Sequence, residues 1–200
     1  QFFMLLKIHP ETPGHRQVQK AVEILKNGGV IIFPTDTVYG LGCDVFSHKA
    51  AERVASIKGV RLDKAHFSFI CHNLSHLTDY AKHVNNPTFK LMKQYLPGPY
   101  TFILEAGSNV PRIFRNRKKT IGIRVPDNKI ILEIVRELGN AVLTTSIHDE
   151  DEVLEYTTDP ELIYEHYHNL VDAVIHGGYG SNVPSTVIDC TGELPVIIRE

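Results

Sequence analysis

The chain has 200 residues, of which 42% are apolar and 22% charged, the ordinary balance of a globular domain with a sizeable core. Its net charge of −2 excludes a strong overall attraction to nucleic acid, so RNA binding would depend on a local basic patch. No apolar run approaches the roughly 18 residues that span a membrane, and the three cysteines form no metal-ligand spacing. We expect one domain over residues 1–200, located in the cytoplasm, with no protein-ligated metal.

Hydrophobic periodicity and turn signals predict helices and strands along the whole chain. Asp127 is the expected N-cap of one helix, and Asp159, followed by a proline, begins another. The predicted helices are 16–26, 48–58, 74–82, 87–96, 128–138 and a segment that starts at 160; the predicted strands are 1–8, 30–33, 67–71, 100–104, 120–125, 141–145, 171–176, 185–189 and 195–199. Strands alternate with helices early and cluster late. This order predicts an α/β (α+β-like) fold with a single mixed, twisted sheet and flanking helices.

The most informative segment is Pro-Thr-Asp-Thr-Val-Tyr-Gly-Leu-Gly at 34–42, directly after the predicted buried strand 30–33. It places two hydroxyls, a carboxylate and a phenol at a strand end. Its glycines stand where a ligand or another backbone can come close. We interpret the segment as part of a ligand site; the alternative is a tight strand-to-helix turn.

This segment resembles the signature of the YrdC-like family, whose best-known members are threonylcarbamoyladenylate synthases. Further matches follow in the same order: PGPYTF at 97–102, TIGIRVP at 120–126, residues 172–178, STVID at 185–189 and VIIR at 196–199. The resemblance implies the YrdC-like fold with a concave basic surface. It also implies that the additional C-terminal domain of longer synthases is absent, because the matches run to the end of the chain.

The resemblance implies a reaction that needs no protein nucleophile. The amine of L-threonine and bicarbonate form a carbamate, whose oxygen attacks the α-phosphate of ATP to give threonylcarbamoyl-AMP and pyrophosphate. The product supplies the threonylcarbamoyl group of a modified adenosine in tRNA. ATP is then a substrate, Mg²⁺ accompanies its phosphates, and tRNA-modification proteins are expected partners.

Three cations, Lys58, Arg61 and Lys64, fall within seven residues after a predicted helix and can face one anionic ligand. The alternative is a solvated loop. The synthases carry Lys-x-Arg-Pro here, whereas this chain has its arginine one place later and no proline. With the resemblance, we assign Lys58 and Arg61 to catalysis and Lys64 to nucleotide binding.

Arg124 lies between apolar residues on a predicted strand, where burial without an anionic partner is costly. The partner is either a structural aspartate or a substrate, and we favour a substrate. The resemblance assigns the remaining site residues as follows: Thr37, Arg124 and Ser185 to threonine, and Thr120, Ser146, His148 and Arg199 to the nucleotide. His148 stands where the synthases have asparagine, and Ile70 where many have histidine.

A basic run at 112–119, interleaved with Phe114, is a candidate RNA surface. Its cations are Arg112, Arg115, Arg117, Lys118 and Lys119. A solvated loop explains the run equally well. Family members are known for a concave basic surface that binds double-stranded RNA or tRNA, and this favours RNA.

The altered cationic loop, His148 and Ile70 resemble the YciO-type branch, whose members keep the fold but not all synthase residues. Three functions remain open: a threonylcarbamoyladenylate synthase, a YciO-type RNA-binding protein without synthase activity, and an enzyme that acts hydrolytically on threonylcarbamoyl-modified RNA. We favour the first.

Overall fold

A computed structural model describes residues 4–64, 66–114, 119–147 and 157–200. Ten strands in these residues form one sheet, in the order β1-β8-β2-β3-β7-β4-β6-β5-β9-β10. The strands are β1 (Met4–Lys7), β2 (Ile31–Phe33), β3 (Gly40–Asp44), β4 (Ser68–Ile70), β5 (Tyr100–Glu105), β6 (Thr120–Arg124), β7 (Val142–Ser146), β8 (Ala173–His176), β9 (Thr186–Asp189) and β10 (Val196–Arg199). Parallel and antiparallel pairs both occur, so the predicted single mixed sheet is confirmed.

Helices flank this sheet, as predicted. The α-helices of the described residues are α1 (His15–Lys26), α2 (His48–Lys58), α3 (Asn86–Tyr95), α4 (Lys129–Leu138) and α5 (Pro160–Tyr167). Short 3₁₀ helices occupy Leu62–Lys64, Leu74–Asp79 and Arg112–Phe114. None of the helices in these ranges is long and apolar enough to cross a membrane.

Three local predictions were wrong. The α-helix expected at 74–82 is a shorter 3₁₀ helix, which ends where Ala81 forms a β-bridge with Ala106. Strand β3 was not expected, because its glycines hide the alternation of a strand. Asp127 is not the N-cap of α4: the side chain of Asn128 accepts hydrogen bonds from the backbone N–H groups of Ile130 and Ile131.

The two faces of the sheet are covered differently. Helices α1 and α4 pack against each other and bury a cluster on one face that includes Phe33 and Val142. A Cβ added at Gly42 would contact both of these side chains, so Gly42 lies on the same face. Further along this face the residues become small and polar. The same face is therefore apolar under α1 and α4 and polar toward β4, β6 and β5.

We call this second region the polar strip, and it consists of Thr144, Ser68, Gly122, Thr101 and Ser185. Ser68 pairs in register with both Thr144 and Gly122. A Cβ added at Gly122 would lie 3.0 Å from the Ser68 Oγ and 3.0 Å from the Thr101 Cγ2. The Thr101 and Ser185 hydroxyls share a hydrogen bond at 2.7 Å. Hydroxyl groups therefore cross the sheet from β7 to the start of β9.

Candidate functional site

The signature segment forms a loop that is braced from within by Thr35. Its hydroxyl donates to the backbone oxygen of Val38 (2.7 Å) and accepts from the backbone N–H of Thr37 (3.0 Å). The side chain is buried and its bonding capacity is largely used inside the loop. Thr35 therefore shapes the loop, while Thr37 and Asp36 are turned toward β6.

The phenol of Tyr39, one of the polar groups that made the signature a candidate ligand site, is hydrogen-bonded inside the protein. Tyr39 is fully buried; its hydroxyl donates to the Gly178 carbonyl (2.7 Å) and accepts from the Gly177 N–H (3.2 Å). Burial raises the pKa of the phenol to about 12, so it stays protonated at neutral pH. The Tyr39 hydroxyl thus connects the signature loop to the loop between β8 and β9.

Contacts within the protein also explain why the signature has glycines at positions 40 and 42. A Cβ on Gly42 would lie 2.4 Å from the backbone oxygen of Leu143, and one on Gly40 would lie 2.8 Å from the ring of Phe33. Such distances leave no space for a side chain. Gly40 and Gly42 therefore permit close packing inside the sheet.

Arg124 is the buried cation of the site. Its Nη2 donates to the Asp36 Oδ1 (3.2 Å) and to the Thr37 Oγ1 (3.0 Å). The other oxygen of Asp36 accepts from the backbone N–H of Asp127 (2.8 Å), so one carboxylate joins the signature loop to the entry of α4. The Arg124 Nε is buried without a hydrogen-bond partner in the described part of the chain. Burial lowers the pKa of Arg124, Asp36 opposes this effect, and nearby Arg199 lowers the pKa further.

Arg199 brings a second guanidinium to this group. Its Nη2 donates to the backbone oxygen of Ser185 (2.9 Å) and to the Ser185 Oγ (3.3 Å). Among the described residues, no carboxylate forms an ion pair with it. Of these two guanidiniums, Arg124 contacts a carboxylate, Asp36, whereas Arg199 donates to Ser185, and the excess positive charge favours an anion.

Thr120 and Ser146 lie elsewhere on the same sheet. Thr120 is four residues before Arg124 on β6, which corresponds to roughly 13 Å along a strand. Ser146 ends β7 opposite Gly40. The structure therefore groups Thr37, Arg124, Ser185 and Arg199, whereas Thr120 lies at the other end of β6 from Arg124 and Ser146 lies at the end of β7.

The three cations predicted to face one ligand, Lys58, Arg61 and Lys64, differ in their surroundings. Lys58 is the last residue of α2 and is half-buried. Arg61 is 75% exposed and donates to the Asp63 carboxylate at 3.1 Å. Lys64 ends a 3₁₀ helix, and its side chain lies outside the described part of the structure. No contact in the described residues joins Arg61 to Arg124.

The basic run is only partly described. Arg112 and Lys119 are exposed, and Lys119 adopts the left-handed region with φ 56°. Phe114 is buried and packs edge-on against Phe67 and Phe69, so it cannot stack on a base. Four assigned residues, His148, Arg115, Arg117 and Lys118, lie outside the described residues.

Other reactive groups within the described ranges offer no nucleophile or metal centre. Burial raises the pKa of the Cys43 and Cys71 thiols to about 12, so they remain protonated at neutral pH. No group of three or more His, Cys, Asp and Glu side chains in these ranges is placed to hold a metal ion. Ile70, where many synthases have histidine, is packed in the core beneath α4.

Sequence reasoning did not assign Thr101 to the site, and it counted the carboxylate of Asp36 in the ligand-site segment without giving it a role. Both lie inside segments that carry the family resemblance, Asp36 in the signature and Thr101 in PGPYTF. A polar residue inside an apolar strand was the available signal for Thr101, and a carboxylate in a buried loop was the signal for Asp36.

Comparisons with known proteins agree with the fold. A family model named Sua5/YciO/YrdC, described as "Telomere recombination", matches residues 23–200. An uncharacterized protein of Haemophilus influenzae is 45% identical over 202 residues, which covers 100% of this chain and 95% of that protein. YciO of Escherichia coli is 43% identical with the same coverage, and its crystal structure matches with a TM-score of 0.92 over 100% of this chain and 96% of that one.

A threonylcarbamoyl-AMP synthase is also similar. The enzyme of Pyrococcus abyssi is 28% identical over 184 residues, covering 92% of this chain and 53% of the enzyme. The crystal structure of P. abyssi Sua5 complexed with L-threonine matches with a TM-score of 0.89 at 26% identity, over 98% of this chain and 57% of that one. The chain thus spans a little over half of the Sua5 chain.

The chain belongs to the Sua5/YciO/YrdC family. The resemblance drawn from the signature and the collinear segments, including the YciO-type branch, is confirmed.

Proposed function

We propose that this protein binds L-threonine, bicarbonate and ATP and forms threonylcarbamoyl-AMP and pyrophosphate in the cytoplasm, for use in tRNA modification. The family membership supports this proposal at the level of the fold, and the complex of P. abyssi Sua5 with L-threonine supports threonine as the amino acid. The contacts around Arg124 support the proposed amino-acid subsite.

The observation that carries the proposal is the buried Arg124, whose Nε has no hydrogen-bond partner among the residues that the structure describes. A buried charged donor without a partner costs on the order of 1–3 kcal/mol or more. A substrate carboxylate beside the Nε would recover this energy through a charge-assisted hydrogen bond. Arg199 adds positive charge at the same place, and Thr37 and Ser185 supply hydroxyls for the amine and side-chain hydroxyl of threonine.

The chemistry needs positioning and charge neutralisation, and the site supplies both. The threonine amine attacks bicarbonate, and water leaves as the carbamate forms. A carbamate oxygen then attacks the α-phosphorus of ATP, and pyrophosphate leaves with the electron pair of the broken P–O bond. The protonated thiols of Cys43 and Cys71 fit a reaction without a covalent enzyme intermediate.

Separate subsites would hold the two ends of the product. The amino-acid end would lie at Arg124 and Ser185. The hydroxyl of Thr120, roughly 13 Å from Arg124 along β6, and that of Ser146 at the end of β7 would bind the ribose and phosphate part of the nucleotide. Lys58, Arg61 and Lys64 would approach the phosphates of magnesium-bound ATP, with Arg61 exchanging Asp63 for a phosphate.

Titration calorimetry with L-threonine tests the amino-acid subsite. We expect Arg124→Ala to weaken threonine binding at least about 100-fold, because it removes charge-assisted hydrogen bonds to the carboxylate. Arg124→Lys keeps the charge beside Asp36 but loses the planar fork, so intermediate affinity is expected. Arg136→Ala removes a surface guanidinium from α4 and should leave affinity unchanged. Wild-type affinity in a folded Arg124→Ala protein would contradict the assignment.

RNA binding is the second candidate function, and the exposure of Arg112 and Lys119 favours it. Lys119 also holds a strained left-handed backbone, a feature common at functional sites. Binding through these cations should weaken steeply with salt and fall in Arg112→Ala and Lys119→Ala. Filter binding of tRNA at several salt concentrations measures both effects, and a flat salt dependence would argue against it.

A further inference from the structure

Tyr179 is the most exposed of the large hydrophobic side chains in the described residues, at 80%. It lies in the connection between β8 and β9, between Gly178, which has a φ of +95°, and Gly180. Single exposed hydrophobic residues are common on protein surfaces. The backbone around Tyr179 distinguishes it from such residues.

Hydrogen bonds fix the backbone on both sides of Tyr179. Before it, the Gly178 carbonyl accepts from the Tyr39 hydroxyl at 2.7 Å. After it, the Gly180 N–H donates to the Thr158 carbonyl (2.8 Å) and the Ser181 N–H donates to the Thr37 carbonyl (3.1 Å). The ring therefore projects from a fastened loop, so ordering it on binding would cost little backbone entropy.

The loop geometry depends on the same buried tyrosine. A Cβ on Gly180 would lie 2.8 Å from the ring of Tyr39, so the loop packs directly on that ring. The ring of Tyr39 is thus covered by the β8–β9 loop. The aromatic side chain of that loop, Tyr179, faces solvent. The structure holds Tyr179 in place without burying it.

Tyr179 lies next to the proposed substrate site. Ser181, two residues later, contacts Thr37, and two residues of chain span at most about 7 Å. Thr37 in turn accepts from the Arg124 guanidinium. A flat, solvent-facing ring beside a cationic, hydroxyl-rich site suits a ligand that combines negative charge with an aromatic face.

We propose that Tyr179 is a stacking platform for a nucleobase of the ligand bound at this site. The inference rests on the proposed function, because it takes the ligand to be a nucleotide or RNA. Stacking on an aromatic side chain is sequence-tolerant, since every base presents a π-face. The base can come from ATP or from an RNA strand, and the experiment separates these sources.

The chain contains no tryptophan, so Tyr179→Trp introduces a single tryptophan, whose fluorescence reports on this position. Phe46→Trp is the matched control, because Phe46 is 64% exposed and follows the end of β3 opposite to the signature loop. We expect saturable quenching of the Tyr179→Trp protein by magnesium-ATP or by a single-stranded RNA oligonucleotide, and none by threonine alone. The control should not be quenched.

Affinity measurements complete the test. Tyr179→Ala should bind the quenching ligand about 5- to 150-fold more weakly, the range expected for loss of one stacked base. Tyr179→Phe keeps the ring and should stay within about twofold of wild type. Quenching by ATP identifies the mononucleotide as the source, and quenching by RNA alone identifies the strand.

The proposal is overturned if neither ligand quenches Tyr179→Trp, if Phe46→Trp is quenched equally, or if Tyr179→Ala binds both ligands with wild-type affinity. Threonine-dependent pyrophosphate release, assayed on the same preparations, keeps the two proposals apart. Release without quenching rejects stacking and leaves the synthase proposal standing. Quenching by RNA without release rejects the synthase and supports stacking.

Discussion

Asp36 and Arg124 form an ion pair whose side chains are only 11% and 9% exposed, whereas Asp63 and Arg61 form one that is mostly exposed. Removing one partner of a buried pair leaves an uncompensated charge, but an exposed pair contributes little. We predict that Asp36→Ala lowers the free energy of unfolding by about 3 kcal/mol. Asp63→Ala should change it by less than about 0.5 kcal/mol.

Urea unfolding of both variants measures the difference. Equal, small effects would show that Asp36 does not neutralise a buried Arg124. The sequence offered a structural aspartate or a substrate as the partner of a buried Arg124, and the structure shows an aspartate, Asp36. Which aspartate it is was not foreseeable, because it lies 88 residues away in the sequence.

Tyr39 predicts a specific pH dependence. Because burial raises its pKa to about 12, the protonated phenol stabilises the fold below about pH 10, the ordinary pKa of tyrosine, and this contribution is lost as the pH rises toward 12. At neutral pH, Tyr39→Phe should lower the unfolding free energy by roughly 1–3 kcal/mol, since two backbone groups lose their partner.

The difference in unfolding free energy between wild type and Tyr39→Phe should therefore become smaller between pH 10 and pH 12. Denaturant unfolding of both proteins across this range provides the measurement. A difference in unfolding free energy that stays constant with pH would mean that the phenol titrates normally in the folded protein.

Helix α4 links the core to the site, because its entry carries the Asp127 N–H that binds Asp36. The Asn128 side chain caps two backbone N–H groups of the helix. We predict that Asn128→Ala lowers stability by about 1 kcal/mol. Asp127→Ala keeps the backbone donor and should have a smaller effect. Thermal unfolding compares the two variants. A larger loss of stability in Asp127→Ala would support Asp127 as the N-cap of α4, as predicted from the sequence.

At the scale of elements, helices with a clear periodicity were the most predictable. The four apolar positions of α1 are all buried: Val18, Ala21, Val22 and Leu25. Strand β3 was missed because Gly40 and Gly42 carry no hydrophobic signal, and the reason for these glycines is their contact with Phe33 and Leu143 in other strands. Such information depends on tertiary neighbours and is not local.

At the scale of the molecule, the collinear segments were sufficient for the fold and the family, since they extend over most of the chain. They were not sufficient for the division of one sheet face into an apolar half under α1 and α4 and the polar strip. That division depends on where two helices of separate sequence position pack together. The polar half places Thr101 and Ser185 beside Arg199, and we propose this face as the place for a substrate.

The most direct test of the account is pyrophosphate release from magnesium-ATP, with L-threonine and bicarbonate each supplied or omitted. We predict release that requires both compounds and that is lost in Arg124→Ala, while Arg136→Ala retains it. Absence of release from the folded wild-type protein, with both compounds and Mg²⁺ present, would contradict the synthase proposal and leave RNA as the ligand of this face.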